Sequence, residues 1–314
     1  MGYAIFRARE GLDGCVQLAR EEYTAVLEDY TSLSEMLMLE ERFDILLDNY
    51  CELEREILVI SLQHSVRFRT SDDSMPEHRR ILSRRILNLL SACRFYLDQL
   101  WHGLSGMFGE SSDIYRSIKR RCSEHYDSSF EYRLMEAVRN SFQHRSMPIR
   151  MLTVNHQRTE IGPSGQLACT ATPRLSRDVL LADGKLKQTV RTELLSGPDQ
   201  LDIKPPIRAY VEALADLHVF VRSEASEVVE AWDRSLEGIF ERYAETHDLP
   251  AEGRPMQLEL VELQDTPPVC IRVRKPITLR ISEMRKALEQ RNSLLKNLGK
   301  RYVTNQPAED IPSP

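Results

Sequence analysis

A long run of the chain, from Val16 to Ser74, contains neither proline nor glycine. Apolar residues recur through it at helical spacing: Leu18, Val26, Leu33, Leu37, Leu46, Leu53, Ile57 and Ile60. This pattern predicts one long helix, or two in series, over residues 16–66. In the segment SDDSMPEH, Ser74 can cap a further helix that starts near Pro76. Helices of this length must bury their apolar faces, which favours a mainly α fold.

Two further helical stretches follow. The segment RRILSRRILNLLSACRFYLDQLWHGLSGMFG is the most apolar part of the chain and carries its arginines outside a broad apolar face. In the third stretch apolar residues fall at about every fourth position from Ile114 to Val138. Pro148 ends this stretch, because the residue before a proline disfavours the helical conformation. We predict an antiparallel helical bundle over residues 1–148.

After Pro148 the apolar pattern changes to a period of two. Segments such as MLTVNHQRTEI, QLACTATPRL and KLKQTVRTELL predict strands at about 149–195, and MQLELVEL and PVCIRVRKP predict two more at about 256–275. Helical patterns cover about 206–246 and 281–298. We therefore predict a mainly α chain, α+β overall, in which the bundle is followed by a small antiparallel β-sheet with long helices over 149–300. The polar tail 301–314 is predicted to be disordered.

Composition excludes several classes of protein. No apolar run approaches the roughly 18 to 20 residues that cross a bilayer, and the first residues lack the features of a signal peptide, so we expect a cytoplasmic protein without a membrane partner. The six cysteines are scattered singly, without the paired spacing of a zinc site. We therefore expect no metal site and no cofactor.

The six-residue segment RNSFQH is the part of the sequence that most suggests chemistry. It places Arg139 and His144 at the spacing R-x4-H, near the end of the third helical stretch. That spacing alone is weak, because R-x(4–6)-H also occurs at Arg120/His125, Arg150/His156 and Arg242/His247. The Arg139 pair differs in its context. A polar residue, Asn140, follows the arginine, and the surrounding apolar positions would hold the helix firmly against its neighbours.

This segment resembles the motif of the HEPN superfamily, named for higher-eukaryote and prokaryote nucleotide-binding domains. Members are helical bundles with R-x(4–6)-H, often with Asn, Asp or His directly after the arginine. The resemblance covers about residues 16–150 and rests on this one motif. It implies a metal-independent ribonuclease of the kind found in toxin–antitoxin, defence and RNA-processing systems, acting as a homodimer. It also implies RNA as the substrate, and an antitoxin or other protein as a partner.

The chemistry of the residues is compatible with this reading. If the 2′-OH of RNA attacks the adjacent phosphate, histidine, with an ordinary pKa of about 6.5, can take the proton. A guanidinium can stabilise the charge that gathers on the phosphate oxygens. We predict a catalytic set of Arg139, Asn140 and His144. Five residues of helix turn through about 500°, so the outer two point about 140° apart, which favours a site shared across a dimer.

An excess of arginine accompanies the motif. Between Arg67 and Arg150 the chain has 15 Lys and Arg against 10 Asp and Glu, although its net charge is −6. The planar fork of arginine suits phosphate, so these side chains are candidates to bind the RNA backbone: Arg84, Arg85, Arg116, Arg120, Arg121 and Arg145. The alternative is a solvated helix surface.

A structural interpretation of the motif also remains open. His144 and Arg145 suit a helix C-terminus because of the helix dipole. Arg139 can instead pair with Glu136, three residues earlier, or with an acid on the first helix. In that case the chain would be a non-catalytic helical protein that dimerises or binds a partner.

Overall fold

The computed structural model describes residues 2–7, 14–67, 74–144, 149–158, 165–264, 270–301 and 303, and within helices and strands it leaves the side chains of residues 143, 144 and 270 undescribed. The fold is mainly α, with two small antiparallel sheets, so the predicted fold class is confirmed. No helix in the described ranges combines the length and the apolar character needed to cross a membrane.

Eight α-helices lie in the described part of the chain. They are α1 (Arg20–Val66), α2 (Met75–Phe108), α3 (Asp113–Ser128), α4 (Phe130–His144), α5 (Arg177–Leu181), α6 (Gln188–Leu195), α7 (Lys204–Thr246) and α8 (Arg280–Arg291). The first runs unbroken for 47 residues, as the absence of proline and glycine allows.

Within the described ranges, seven strands form the two sheets. They are β1 (Gly2–Phe6), β2 (Val16–Leu18), β3 (Met151–Arg158), β4 (Leu167–Ser176), β5 (Gln200–Asp202), β6 (Gln257–Gln264) and β7 (Cys270–Thr278). One sheet has the order β2-β1-β6-β7 and the other has the order β3-β4-β5, and every neighbouring pair is antiparallel. The first sheet thus joins the start of the chain to residues more than two hundred positions later.

The chain divides into two compact units that interleave in sequence. The first comprises Met1–Ile45, Phe95–Ile118 and Phe220–Ser293, and the second comprises Leu46–Arg94, Lys119–Val219 and Leu294–Pro314. In the first unit, one face of the four-stranded sheet packs into a core with residues of α1 and α7. The second unit contains α3 from Lys119 onward, all of α4, and the three-stranded sheet.

Four sequence predictions differ from the structure. The segment KLKQTVRTELL, expected to be a strand, contains α6, because Val190 and Leu194 lie one helical turn apart and are both buried. Residues 16–18, expected to be helical, form a strand that pairs with β1. Helix α8 ends at Arg291 rather than near 298.

The third helical stretch breaks at Ser129. The hydroxyl of Ser129 accepts a hydrogen bond from the first-turn amide of Tyr132, and a new helix starts there. Residues 304–314 of the predicted tail lie outside the described residues.

Candidate active site on helix α4

Helix α4 is fixed firmly in the second unit. Its buried face consists of Tyr132, Leu134, Met135, Val138 and Ser141, each less than 5% exposed. This burial holds the backbone of the helix in one orientation. It therefore fixes the backbone positions from which the side chains of Arg139 and Asn140 extend.

At the start of α4, the side chain of Arg133 adds a polar anchor. Its Nη1 donates to the carbonyl oxygens of Tyr126 and Asp127 at the end of α3, at 2.8 and 2.7 Å. Its other nitrogens donate to Glu193 on α6. These bonds tie the start of α4 to α3, which precedes it, and to α6, which lies further along the chain.

Arg139 and Asn140 are in direct contact. Nη2 of Arg139 donates to Oδ1 of Asn140 at 2.5 Å. The arginine side chain is 14% exposed, whereas Asn140 is exposed. Adjacent residues of a helix point about 100° apart, so the guanidinium must bend round the helix to make this contact. The backbone positions of Asn140 and His144 are one turn apart on the same face. The contact therefore brings the guanidinium toward the helix face that carries the backbone of both Asn140 and His144.

The other two predicted residues at the end of this helix are His144 and Arg145. The backbone of His144 forms the last residue of α4, but its side chain lies outside the described residues. Arg145 lies outside them altogether. The bond between Arg139 and Asn140 is thus the part of the predicted catalytic set that the structure brings together.

A carboxylate also faces Arg139. Oε2 of Glu136 lies 3.8 Å from Nη2 of Arg139, which is an ion-pair distance longer than a hydrogen bond. The other oxygen of Glu136 accepts the hydroxyl of Tyr210 on α7. The sequence alternative, an Arg139–Glu136 pair, is therefore present. Nε of Arg139 is buried and has no hydrogen-bond partner among the described residues.

The charge of Glu136 lies among groups that stay neutral. Burial raises the pKa of Tyr210 well above its ordinary value, and Glu136 adds to the shift. Burial likewise raises the pKa of Tyr132 and of the Cys93 thiol, again with a contribution from Glu136. These three groups cannot pair with Glu136 as cations, whereas Arg139 forms an ion pair with it at 3.8 Å.

The arginines of α2 fall into two classes. Arg85 donates to Glu52 and lies 3.8 Å from Glu56, both on α1, so its charge is neutralised within the protein. Arg84, its neighbour in sequence, is exposed. Of these two candidates for RNA binding, only Arg84 presents an exposed guanidinium.

The arginines of α3 divide in the same way. Arg116 pairs with Asp113 at 2.6 Å on the helix surface. Arg121 donates through Nε and Nη2 to Oδ2 of Asp216, at 2.9 and 2.7 Å. Arg120 is exposed. The exposed members of the predicted RNA-binding surface are thus Arg84, Arg116 and Arg120, and Arg116 pairs with an exposed carboxylate. Arg85 and Arg121 are less exposed and are held by carboxylates.

In a second R-x4-H pair, Arg120/His125, the histidine contacts a carboxylate instead. His125, five residues after Arg120, places Nε2 at 2.8 Å from Oδ2 of Asp216, the same oxygen that Arg121 binds. The carboxylate therefore joins α3 to α7 through an arginine and a histidine one turn apart. Sequence reasoning did not single out Asp216, which lies in an ordinary helical pattern far along the chain.

In the described part of the chain, no side-chain contact brings together the members of the other two pairs. Arg242 donates to Glu22, and Nδ1 of His247 lies 2.9 Å from the carbonyl oxygen four residues earlier. Arg150 and His156 are both exposed, at and beyond the start of β3. Neither pair resembles α4, where the arginine bends toward the polar residue that follows it.

Tyr210 is the residue near the motif that sequence reasoning missed. It occupies a buried position of α7 and is only 2% exposed, so in sequence it looks like an ordinary core residue. The only signal is chemical, since a buried tyrosine hydroxyl needs a partner. The identity of that partner, Glu136, depends on a contact between residues 74 positions apart.

Comparisons with models of protein families, with curated proteins and with solved structures found no match to this chain.

Proposed function

We propose that the protein is a metal-independent RNA endonuclease of the HEPN type. The observation that carries the proposal is the bond from Arg139 Nη2 to Asn140 Oδ1. It turns the guanidinium toward the helix face that also carries the backbone of His144, and so reduces the divergence of about 140° that a straight helix imposes.

In this proposal each residue has a distinct role. The 2′-oxygen of RNA bonds to the adjacent phosphorus as the bond from phosphorus to the 5′-oxygen breaks, which leaves a 2′,3′-cyclic phosphate and a free 5′-OH. His144 accepts the proton of the 2′-OH, and the imidazolium so formed gives a proton to the leaving 5′-oxygen. Arg139 stabilises the negative charge on the phosphate oxygens, and Asn140 holds the guanidinium in place.

The incomplete neutralisation of Arg139 supports this role. Its nearest carboxylate, Glu136, is 3.8 Å away, and that carboxylate also accepts the hydroxyl of Tyr210. The strongest contact of the guanidinium is to a neutral amide. A cation held by an amide and a distant carboxylate retains donors and charge for a phosphate.

The proposal includes a homodimer. Even after the guanidinium bends toward Asn140, Arg139 and His144 start about 7.5 Å apart along the helix axis. A second copy of α4 can supply the missing residue across a twofold axis.

A non-catalytic interaction protein is the second candidate, and one observation favours it. The chain of contacts from Arg139 to Glu136 and on to Tyr210 resembles a structural network that locks α4 to α7. In that case Arg139 would serve only the packing of the bundle, and the protein would act by binding a partner.

Cleavage of RNA in EDTA distinguishes the two candidates. Purified protein is incubated with a labelled RNA oligonucleotide, alongside Arg139→Ala, Asn140→Ala and His144→Ala. The matched controls are Arg234→Ala and His102→Ala, which remove the same side-chain types from exposed helical positions. A second substrate carries 2′-deoxyribose throughout, so it cannot undergo attack by a 2′-OH.

The proposal predicts cyclic-phosphate products from RNA and none from the deoxy substrate. Loss of Arg139 or His144 should slow cleavage by about 100-fold or more, which is typical when one charge-stabilising or proton-transfer group is removed. The two controls should match the wild type. Cleavage that persists in His144→Ala would exclude the proposed site, and absence of cleavage by the wild type would favour the interaction protein.

A further inference from the structure

The hairpin of β3 and β4 has a distal half that is exposed on both faces. Residues Asn155 to Arg158 of β3 are all exposed, although alternate residues of a strand point to opposite faces. On β4, strand β5 pairs only with Arg174–Ser176, at the other end of the hairpin. The distal half is therefore a two-stranded ribbon.

The main-chain groups on the two edges of this ribbon can be assigned from their partners. The N–H of Ala171 donates to Oγ of Ser61, and its carbonyl accepts Nζ of Lys204. Both groups of Ala171 therefore point away from β3, so Ala171 and the residue opposite it, Val154, form a non-hydrogen-bonded pair. By the alternation of an antiparallel ladder, Val154, His156 and Arg158 direct their N–H and C=O groups to the outer edge of β3.

The two edges of the ribbon differ in protection. On β4, the side chains of Ser61 and Lys204 occupy the outward groups of Ala171. Just before β3, Nη1 of Arg79 donates to the carbonyl of Arg150, and near the start of the strand Leu152 is buried. From Val154 to Arg158, no strand in the described part of the chain pairs with the outer edge.

The open segment also lacks the usual protection of an edge strand. VNHQR contains no proline and no lysine, and its one fully charged residue, Arg158, stands at its end. Edge strands without such protection are templates for pairing with another chain. The open segment is therefore suited to strand addition.

We propose that this edge pairs with the same edge of a second copy of the chain, antiparallel and with the twofold axis at His156. In this register Val154 lies opposite Arg158 of the second copy, and Asn155 lies opposite Gln157. All three outward residues then form hydrogen-bonded pairs, with about six main-chain hydrogen bonds across the axis. The two ribbons become a four-stranded sheet.

The composition of the segment favours a second copy as the occupant. The cation Arg158 lies opposite an apolar side chain rather than another cation, so charge does not oppose the symmetric pairing. The polar residues of one face, Asn155 and Gln157, lie opposite each other and can exchange hydrogen bonds. The pairing follows from the strand edge alone and does not depend on the proposed ribonuclease activity.

Cross-linking tests the register. Asn155→Cys and Gln157→Cys are purified separately and then mixed under mild oxidation. Opposed residues of a non-hydrogen-bonded pair have Cα atoms about 4.5 Å apart, within the range of about 4.4–6.8 Å for disulfides. We expect a covalent dimer on a non-reducing gel from the mixture only. Each variant alone, and the wild type with its native cysteines, are the controls.

The native Cys169 does not confuse this result. It lies opposite His156, whose side chain is on the other face of the ribbon from Asn155 and Gln157. Cross-linking of Asn155→Cys with itself would place the axis elsewhere and overturn the proposed register. The absence of any cross-link in the mixture would overturn the pairing.

A proline substitution tests the edge itself. His156→Pro removes an outward N–H without removing a hydrogen bond to β4. His156→Thr is the matched control, because threonine keeps the N–H and suits a strand. Light scattering should give a larger mass for the wild type and the threonine variant than for the proline variant, because the proline variant loses the association through this edge, and helical circular dichroism should be unchanged in all three. A monomeric wild type, or equal masses for the two variants, would contradict the pairing.

Discussion

Two arginines, one in each unit, have the same buried and unsatisfied atom but different surroundings. Arg285 of α8 and Arg139 of α4 both bury Nε without a hydrogen-bond partner among the described residues. Arg285 is 7% exposed and donates to two carboxylates, Asp233 at 2.7 Å and Glu289 one turn later. Arg139 is 14% exposed, and its closest contact is an amide.

The difference concerns charge rather than burial. The positive charge of Arg285 is compensated by two carboxylates in hydrogen-bond contact, and removal of the guanidinium leaves the buried carboxylate of Asp233 without its main partner. The charge of Arg139 faces one carboxylate at 3.8 Å, which Tyr210 also binds. A guanidinium compensated in this incomplete way can bind a further anion, which is why the proposed activity is assigned to α4 rather than to α8.

The largest expected effect is in the first unit. Arg285→Ala leaves Asp233, which is 5% exposed, with the hydroxyl of Ser282 and with the ammonium of Lys286 at 3.4 Å. We expect a loss of about 3–5 kcal/mol in the free energy of unfolding, the usual cost of breaking a buried ion pair. Urea denaturation measures it. Lys286→Ala, at a side chain that is 57% exposed, is the control and should change the stability by less than about 0.5 kcal/mol.

A smaller effect is expected where the network of Arg139 meets α7. Tyr210→Phe removes the hydroxyl that donates a hydrogen bond to Glu136. The partly buried carboxylate then has one partner fewer. We expect a loss of about 2 kcal/mol, in the range of hydrogen bonds to charged groups. Tyr126→Phe is the control, since its hydroxyl contacts the exposed Lys187. Equal stability of the Tyr210 and Tyr126 variants would show that the network contributes little to packing.

Tyr50, beside a fully compensated arginine of the same unit, should make the stability depend on pH in the alkaline range. Arg208 donates to both oxygens of Glu54 at 2.7 Å, and Tyr50 lies beside them. Burial, followed by the charge of Glu54, raises the pKa of Tyr50 from 10.0 to about 12. Because the folded state holds the proton more tightly, this stability is present below pH 10 and is lost as the pH rises toward 12. Unfolding free energies of the wild type should fall over that interval more steeply than those of Tyr50→Phe.

Much of the fold could be predicted from the sequence, because helices and hairpins depend on local patterns. The periodicity of α1 and α7 is unambiguous over more than forty residues each. Helix α6 was misassigned because Thr189, Val190 and Thr192 are β-branched, a local preference that the burial of one helical face overrides. Strand β1 was missed because its partner, β6, lies more than two hundred and fifty residues later.

The site could be predicted only in part. The motif indicated Arg139 and Asn140, and the possibility of a pair with Glu136 follows from spacing along one helix. Which arginines remain exposed could not be predicted, because Arg121 is bound by Asp216, a residue 95 positions later. Long-range pairing of charges leaves no signal in a single sequence.

The most direct test of the central claim measures two properties of Arg139→Ala together, its rate of RNA cleavage in EDTA and its free energy of unfolding. If the incompletely compensated guanidinium serves a phosphate, cleavage should fall by about 100-fold or more, while stability falls by about 1 kcal/mol. A variant that cleaves RNA as fast as the wild type would contradict the assignment, whatever its stability.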